Sequence, residues 1–163
     1  MDNRNSLTFK GFLKVMSVMH IAFSVGLIFF TAVMYYQQQK WEFSLPTNSI
    51  YIVLVPLIAI TGIILGNYVF KKKIEPVLNK KSLKQKLEVY QSALLYKYAF
   101  IEGAAFICLL FAMFKGNLLY LAITVAIIVY FLFLRPTENK IEQQLQLKGE
   151  QKEQFKREND VIT

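Results

Sequence analysis

Four polar side chains lie at similar depths in four long, mainly apolar stretches of this 163-residue sequence, one in each stretch, and one of them is a carboxylate. Glu102 follows Lys97 by five residues, which places it about 7–8 Å deeper along a helix than that lysine. His20, Asn67 and Tyr130 lie at comparable distances from the basic residues that flank their own stretches. The four therefore form a candidate polar layer at one depth, in which His20 is the expected partner of Glu102.

Two kinds of chemistry suit such a layer. A proton or ion site would use Glu102 as the titrating group and a protonated His20 as its cationic partner. Alternatively, the side chains form hydrogen bonds between helices that fix helix register, each contributing about 0.6–2 kcal/mol in a membrane. A conduction path typically shows more than one carboxylate, so the structural interpretation is favoured and transport is the alternative.

The residue types give no support for other chemistry. The sequence has one histidine, His20, and one cysteine, Cys108, so bis-histidine haem ligation and an intramolecular disulfide are both excluded. It lacks paired carboxylates, a Ser–His–Asp or Cys–His set, a Gly-rich phosphate loop and a metal-ligand spacing such as H-E-x-x-H. We therefore predict no enzyme activity, no cofactor and no metal.

The elements that carry the four polar residues are long apolar stretches. They cover residues 12–36, 50–70, 92–114 and 118–134, about 17 to 25 residues each, which is enough to cross a hydrocarbon core of roughly 30 Å. Because lipid offers no hydrogen-bond partner to an open backbone, such stretches must be helices. The sequence thus predicts an all-α membrane protein with four transmembrane helices.

Connection lengths predict how these helices pair. A loop of about 13 residues joins the first two stretches and a three-residue turn joins the last two, and short connections favour antiparallel neighbours. We expect a first hairpin in 1–70, a basic linker in 71–91, a second hairpin in 92–134 and a charged tail in 135–163. The tail is interpreted as solvated and broken at Gly149, with its last ten residues disordered; a docking helix for a partner is the alternative.

Two local patterns refine this organisation. Ser82 followed by Gln85 matches a capping box and predicts a third helix from Leu83 to Phe114, about 48 Å long, which would project beyond the membrane. Residues 22–29 and 99–106 both read A-F-x-x-G-x-x-F. This similarity predicts that the two hairpins form a parallel internal repeat.

Small residues also recur at a spacing of four in every stretch, which places each pair on one helix face. Such faces allow helices to approach closely, and in lipid this packing replaces the hydrophobic effect as a driving force. We expect the pairs to pack the monomer, with a seam between subunits as the alternative. The pairs are Ala22 with Gly26, Gly62 with Gly66, Ala99 with Gly103, and Ala122 with Ala126.

The positive charges predict orientation. The N-terminal segment, the linker and the tail hold nearly all Lys and Arg residues, whereas the two hairpin tips hold only Lys40 and Lys115. Positive charge near span ends is retained in the cytoplasm, so both termini and the linker are expected there, in a multi-pass protein of the cell inner membrane. The net charge of +8 also predicts attraction to anionic lipid of the inner leaflet, with no role in nucleic-acid binding.

Part of the second hairpin resembles a known group of proteins. The segments 90–95, 98–106 and 134–137 are similar to small, uncharacterised four-span inner-membrane proteins of Bacteroidota, over roughly residues 86–147. The resemblance implies an inner-membrane location and no activity. The arrangement is also weakly similar to the duplicated-hairpin proteolipids of rotary ATPases, although those use glycine-rich inner helices and this chain has 7 Gly in all.

Together these patterns favour an inner-membrane four-helix bundle that acts as a structural or accessory component of a membrane assembly. The expected partners are the lipid bilayer and either a second copy or another membrane protein. The alternative function is a small proton- or ion-coupled channel or transporter centred on Glu102.

Overall fold

The computed structural model describes residues 8–45, 49–79 and 82–157. Within these ranges the regular elements are all helices: α1 (Phe9–Gln37), α2 (Tyr51–Ile74), α3 (Leu83–Lys115), α4 (Leu118–Leu132), α5 (Glu138–Gln144) and α6 (Glu150–Lys156), with a 3-10 turn at Glu75–Val77. Three helices, α1 to α3, are long and apolar enough to cross a membrane, and α4 is apolar but has only 15 residues. The architecture is therefore compatible with a helical membrane protein.

Some predictions fall on other parts of the chain. Arg4, Lys80 and Lys81, which contribute to the charge pattern, lie outside the described residues, as does 158–163 of the tail.

Helix α3 has the start that its capping pattern predicts. The Oγ atom of Ser82 accepts a hydrogen bond from the backbone N–H of Gln85 at 3.5 Å. The helix ends at Gly116, whose left-handed backbone (φ 57°) and the adjacent carbonyl of Lys40 both disfavour a side chain. With 33 residues, α3 is about 50 Å long and extends beyond the apolar stretch of the sequence.

The bundle is built around α3, which packs against α1, α2 and α4. Helices α2 and α3 run antiparallel, with the rings of Tyr51 and Phe111 in contact near one end and those of Phe70 and Tyr90 near the other. Helix α1 lies against α3 and α4 instead and runs parallel to α3. Among the described residues, α1 and α2 are not a closely packed pair.

This packing differs from the predicted first hairpin, in which α1 and α2 lie side by side. The physical reason is loop length. A connection of 13 residues spans up to about 43 Å when extended, so it does not force its helices together. The turn at Gly116 and Asn117 has no such reach, and α3 and α4 are direct neighbours.

A strap closes one end of the bundle, here called the tip end. Glu42, in the segment after α1, donates its N–H to the carbonyl of Gly116 at 2.8 Å and accepts from the N–H of Leu118 at 3.0 Å. The Nδ2 group of Asn117 donates to the carbonyl of Ser44 at 3.0 Å. The segment that leaves α1 is thereby fixed to the turn between α3 and α4.

The tail covers the opposite end, here called the basic end. Ile141, Leu145 and Phe155 are completely buried, and the ring of Phe155 contacts that of Phe9 at the start of α1. The tail is therefore packed rather than solvated, because its narrow apolar stripe finds apolar surface at the start of α1 and on the extension of α3. The expected break is present, since Gly149 (φ 53°) separates α5 from α6.

Candidate functional site

His20 lies on the buried stripe of α1, with 3% of its surface exposed. Its Nε2 atom is 3.0 Å from the backbone carbonyl of Phe131 in α4, a geometry that requires Nε2–H to donate. The imidazole stacks on the Phe131 ring at 5.2 Å and meets the edge of the Tyr98 ring at 5.4 Å. His20 thus joins α1 to α4 and α3.

The expected pairing of His20 with Glu102 is not found. In the described ranges, no hydrogen bond or ion pair joins the two side chains. The reason is the position of α1 against α3 and α4, which directs the His20 stripe at Tyr98 and Phe131. No sequence signal distinguishes these two aromatic partners, because aromatic residues are common in all four apolar stretches and show no characteristic spacing.

Asn67 and Tyr130, the other members of the predicted layer, do meet. The Nδ2 group of Asn67 in α2 donates to the Tyr130 hydroxyl in α4 at 3.2 Å and to the carbonyl of Ile63 at 2.9 Å. Both N–H groups of the amide are therefore used. This hydrogen bond is a direct polar link between α2 and α4.

Glu102 stands apart from these contacts. It is partly buried on α3, one helical turn beyond Tyr98, and within the described part of the chain no donor reaches its carboxylate. The contacts Phe23–Tyr98 and Phe30–Phe106 place Gly26 of α1 at about the level of Glu102. A charged side chain without a partner at membrane depth costs on the order of 2.5–3.5 kcal/mol.

The small-residue pairs fall into two groups. A Cβ atom added to Gly62 would overlap the Cβ of Ala104, and one added to Gly66 would lie 3.0 Å from the carbonyl of Lys97, so α2 approaches α3 closely here. Cys108 adds to this contact, because its buried Sγ donates to the carbonyl of Val55 at 3.6 Å. We call this contact the α2/α3 seam.

The remaining pairs do not pack the monomer. Ala22, Ala99, Ala122 and Ala126 are exposed. A Cβ added to Gly26 or Gly103 would have no described atom within 4 Å.

An open groove runs between α1 and α3 on the side where several of these residues lie. Its volume is about 530 Å³, and Phe23 of α1 and Ser92 and Ala99 of α3 line it. Glu102 follows Ala99 by one helical turn on the same side of α3. We call this surface, together with Gly26, the α1/α3 groove. Gly103 lies outside it, because it lines an open surface between α2 and α3.

The arrangement of His, Cys, Asp and Glu side chains bears on metal binding. Across 8–45, 49–79 and 82–157, no group of three or more His, Cys, Asp or Glu side chains is arranged to hold a metal ion. Comparisons with protein-family models, with curated proteins and with solved structures find no match to this chain. Its function therefore has to be argued from geometry, and the resemblance to Bacteroidota proteins stays a prediction.

Proposed function

We propose that this protein is an integral inner-membrane helical bundle that serves as a structural or accessory component of a membrane assembly. The observation that carries the proposal is the carboxylate of Glu102, for which the described chain supplies no partner. A partner helix that offers a hydrogen-bond donor at this depth would remove the cost of leaving the carboxylate in lipid. The protein would thus gain a satisfied polar group when it assembles.

The shape of the α1/α3 groove supports such a contact. Gly26 and Ala99 present little bulk near Glu102, and small residues let another transmembrane helix approach the backbone closely. Bulky side chains of that helix would have room in the open groove of about 530 Å³.

The chemistry of Glu102 favours a different membrane protein over a second copy. In a two-fold dimer whose axis passes near Glu102, the two Glu102 side chains would face each other, because a two-fold interface uses the same patch twice. Two carboxylates in close contact repel each other unless they share a proton. The partner is therefore proposed to be a transmembrane helix with a donor side chain, such as Ser, Thr, Asn, Arg or Lys.

Site-specific photo-crosslinking in native membranes tests this proposal. A photoreactive amino acid in place of Ala99, an exposed residue of the groove, should give one discrete protein adduct, identified by mass spectrometry as a membrane protein with a donor in its crosslinked helix. The same group in place of Ile64, which is 59% exposed on α2, is the matched control and should react with lipid. Glu102→Leu should reduce the Ala99 adduct strongly.

Other results would contradict the proposal in distinguishable ways. An Ala99 adduct consisting of two copies of this chain would contradict the separate partner and favour an oligomer. Absence of any protein adduct, with a monodisperse monomer after purification in mild detergent, would contradict the accessory role itself.

The orientation is part of the proposal, with both termini and the linker in the cytoplasm. Support comes from Lys71, Lys72 and Lys73 at the basic end of α2, since positive charge is retained inside. Cysteine labelling at Lys84 and Gln39 tests it in a Cys108→Ala background, because both positions are exposed at opposite ends. Asn48→Cys, in the same connection between α1 and α2 as Gln39, is expected to be labelled from outside, and Asn159→Cys to be protected. Both residues lie outside the described ranges.

The expected result is labelling of Gln39→Cys from outside intact cells and protection of Lys84→Cys. The reverse pattern would overturn the orientation.

Proton- or ion-coupled transport remains a second candidate, because a carboxylate without a described partner is also able to titrate. If Glu102 carries protons, Glu102→Gln should abolish pH-driven flux in proteoliposomes while the fold is retained. If wild-type protein shows no pH-dependent flux of protons or alkali cations, this candidate is lost and Glu102 belongs to a helix contact.

A further inference from the structure

A second unpaired charge lies at the basic end of the bundle. Lys97 of α3 is 93% buried, since only 7% of its surface is exposed, and in the described ranges its ammonium group has neither a hydrogen bond nor an ion pair. The ring of Phe70 lies 5.2 Å from Nζ, which gives a cation–π contact but leaves the three N–H donors unused. A buried ammonium in this state is costly unless something else binds it.

Lys97 faces a cavity that is able to hold such a partner. The cavity has a volume of about 480 Å³ and lies between α2, α3 and α5. In the described part of the chain, every fully buried side-chain nitrogen or oxygen has a hydrogen-bond partner. Because Nζ of Lys97 has none, this atom retains access to the cavity.

The other polar groups around the cavity add donors and acceptors. Lys71 supplies a second cation, and Glu75 supplies a carboxylate. Gln144 accepts a hydrogen bond from the Tyr90 hydroxyl at 2.9 Å through Oε1, which leaves its Nε2 group to donate. Asn67 already uses both N–H groups, so it presents its Oδ1 atom as an acceptor.

The charge and the position of the cavity then indicate the chemical class of the ligand. The described charged residues of the lining, two lysines and one glutamate, leave a net charge of about +1, which matches the single negative charge of a phosphodiester. Phe70 and Ile74 add apolar surface suited to the glycerol and acyl parts of a lipid. The cavity also lies where α2 passes from apolar residues into Lys71–Lys73, the depth at which headgroups are found.

We propose that this cavity binds the phosphodiester headgroup of a phospholipid. Lys97 and Lys71 contact the phosphate, the Nε2 group of Gln144 donates to it, and Glu75 with Oδ1 of Asn67 accepts from hydroxyl or amine groups of the headgroup. The site goes beyond the proposed accessory role, because it places one lipid molecule in a cavity of the monomer, on the α2 side of α3.

Native mass spectrometry of delipidated protein tests the site directly. We expect phosphatidylglycerol, added back in detergent, to bind wild-type protein and to bind Lys97→Met at least tenfold more weakly. Lys72→Met is the matched control. Lys72 is an exposed lysine next to Lys71 at the end of α2 but is not part of the cavity lining, so this variant should bind the lipid as the wild type does. Phosphatidylcholine, whose headgroup has no N–H or O–H donor, should bind more weakly than phosphatidylglycerol.

Folding of Lys97→Met is followed in lipid-free detergent by thermal unfolding, and should be unchanged or better because an unpaired buried charge is removed. If this variant does not fold, Gln144→Met provides a second test with the same expected direction. Equal losses in Lys97→Met and Lys72→Met would overturn the specific site, as would full retention in Lys97→Met. Lys97-dependent binding of soluble glycerol phosphate that matches the lipid would overturn the lipid as the source of the phosphate.

Discussion

The α2/α3 seam and the α1/α3 groove use the same residue types with opposite outcomes. At the seam, Gly62 and Gly66 bring α2 so close to α3 that an added Cβ would meet α3 directly. At the groove, Gly26 is also four residues from a small residue, Ala22, yet an added Cβ would meet no described atom within 4 Å. Polar groups follow the same division, since Cys108 at the seam has a carbonyl partner and Glu102 at the groove has none in the described chain.

The difference teaches that a small-residue pair permits close helix contact without specifying the partner. At the seam the partner is α3 of the same chain, and the packing is complete within the monomer. At the groove, no helix of the described chain packs closely on the small residues. We therefore propose that a helix of another molecule packs there. Substitutions that add bulk should therefore separate the two surfaces.

The largest expected effect is at the seam. Gly62→Leu has to displace Ala104 and the backbone of Phe100, whose carbonyl would be 3.1 Å from the new Cβ, so we expect loss of the folded monomer. Gly26→Leu is the matched control, with the same residue types on α1, and should not lower the unfolding temperature of the isolated protein, because an added Cβ there meets no described atom. Thermal unfolding in detergent measures both.

Equal destabilisation by the two variants would remove the distinction between seam and groove. Loss of stability in Gly26→Leu alone would mean that the groove is filled within the monomer.

Sequence patterns predicted what is local and missed what depends on distant contacts. The start of α3 at Leu83 follows from Ser82 and Gln85. Its predicted end at Phe114 is one residue short of the observed end at Lys115, where Gly116 adopts a left-handed backbone. The choice of neighbours for α1 does not follow from local patterns, because a 13-residue loop is long enough to allow α1 several positions relative to α2 at similar entropic cost. The tail was misjudged for a similar reason: its stripe of Ile141 and Leu145 is too narrow to indicate burial until the surface that it covers is known.

The next largest effect concerns how α1 is held. Because α1 packs less closely against α3 than α2 does, its two ends depend on the tail contact of Phe155 with Phe9 and on the strap at Glu42. Phe155→Ala should cost about 3–5 kcal/mol, as is typical of truncating a buried phenylalanine. Hydrogen exchange should increase at the start of α1 and in α6, with α2 little changed.

Lys156→Ala, at the neighbouring exposed position, serves as the control and should leave exchange unchanged. Increased exchange spread evenly over α1 and α2 would contradict the view that α1 is held separately.

A smaller effect is expected from substitutions at the polar residues. Asn67 has a side-chain partner, whereas Glu102 has none in the described chain. Tyr130→Phe removes the acceptor of Asn67, at a cost of about 0.6–2 kcal/mol, and a double-mutant cycle with Asn67→Leu should show coupling of similar size. Glu102→Gln should leave the stability of the isolated protein unchanged or slightly higher, because an unpaired charge is removed. Its cycle with His20→Ala should be additive, since the two side chains do not meet.

Coupling between Glu102 and His20 that equals the coupling between Asn67 and Tyr130 would contradict this assignment. It would mean that the predicted layer of four residues acts as one network.

The smallest effect is a pH dependence at the tail, where Lys86 is a buried lysine that does have partners. Its Nζ donates to Oε1 of Gln151 at 2.9 Å, yet burial still lowers the pKa of Lys86 below its usual range. The folded protein therefore binds this proton less tightly than the unfolded chain. Stability should rise with pH between the lowered pKa and the ordinary value of about 10.4, above which the unfolded lysine has also lost its proton.

Chemical denaturation of wild-type protein and Lys86→Met between pH 7 and 10 measures this term. The difference in unfolding free energy between them should move in favour of the wild type as the pH rises, because the methionine variant lacks the titrating group. Burial raises the pKa of Tyr90, so the contribution of Tyr90 to protein stability declines only as the pH rises above about 10. Because Tyr90 is present in both proteins, it does not change the difference between them. Lys84→Met, which replaces an exposed lysine two residues away, should show no such change. A difference that stays constant over this range for Lys86→Met would show that its ammonium remains as well solvated as that of Lys84, and the tail would then be bound loosely over α3.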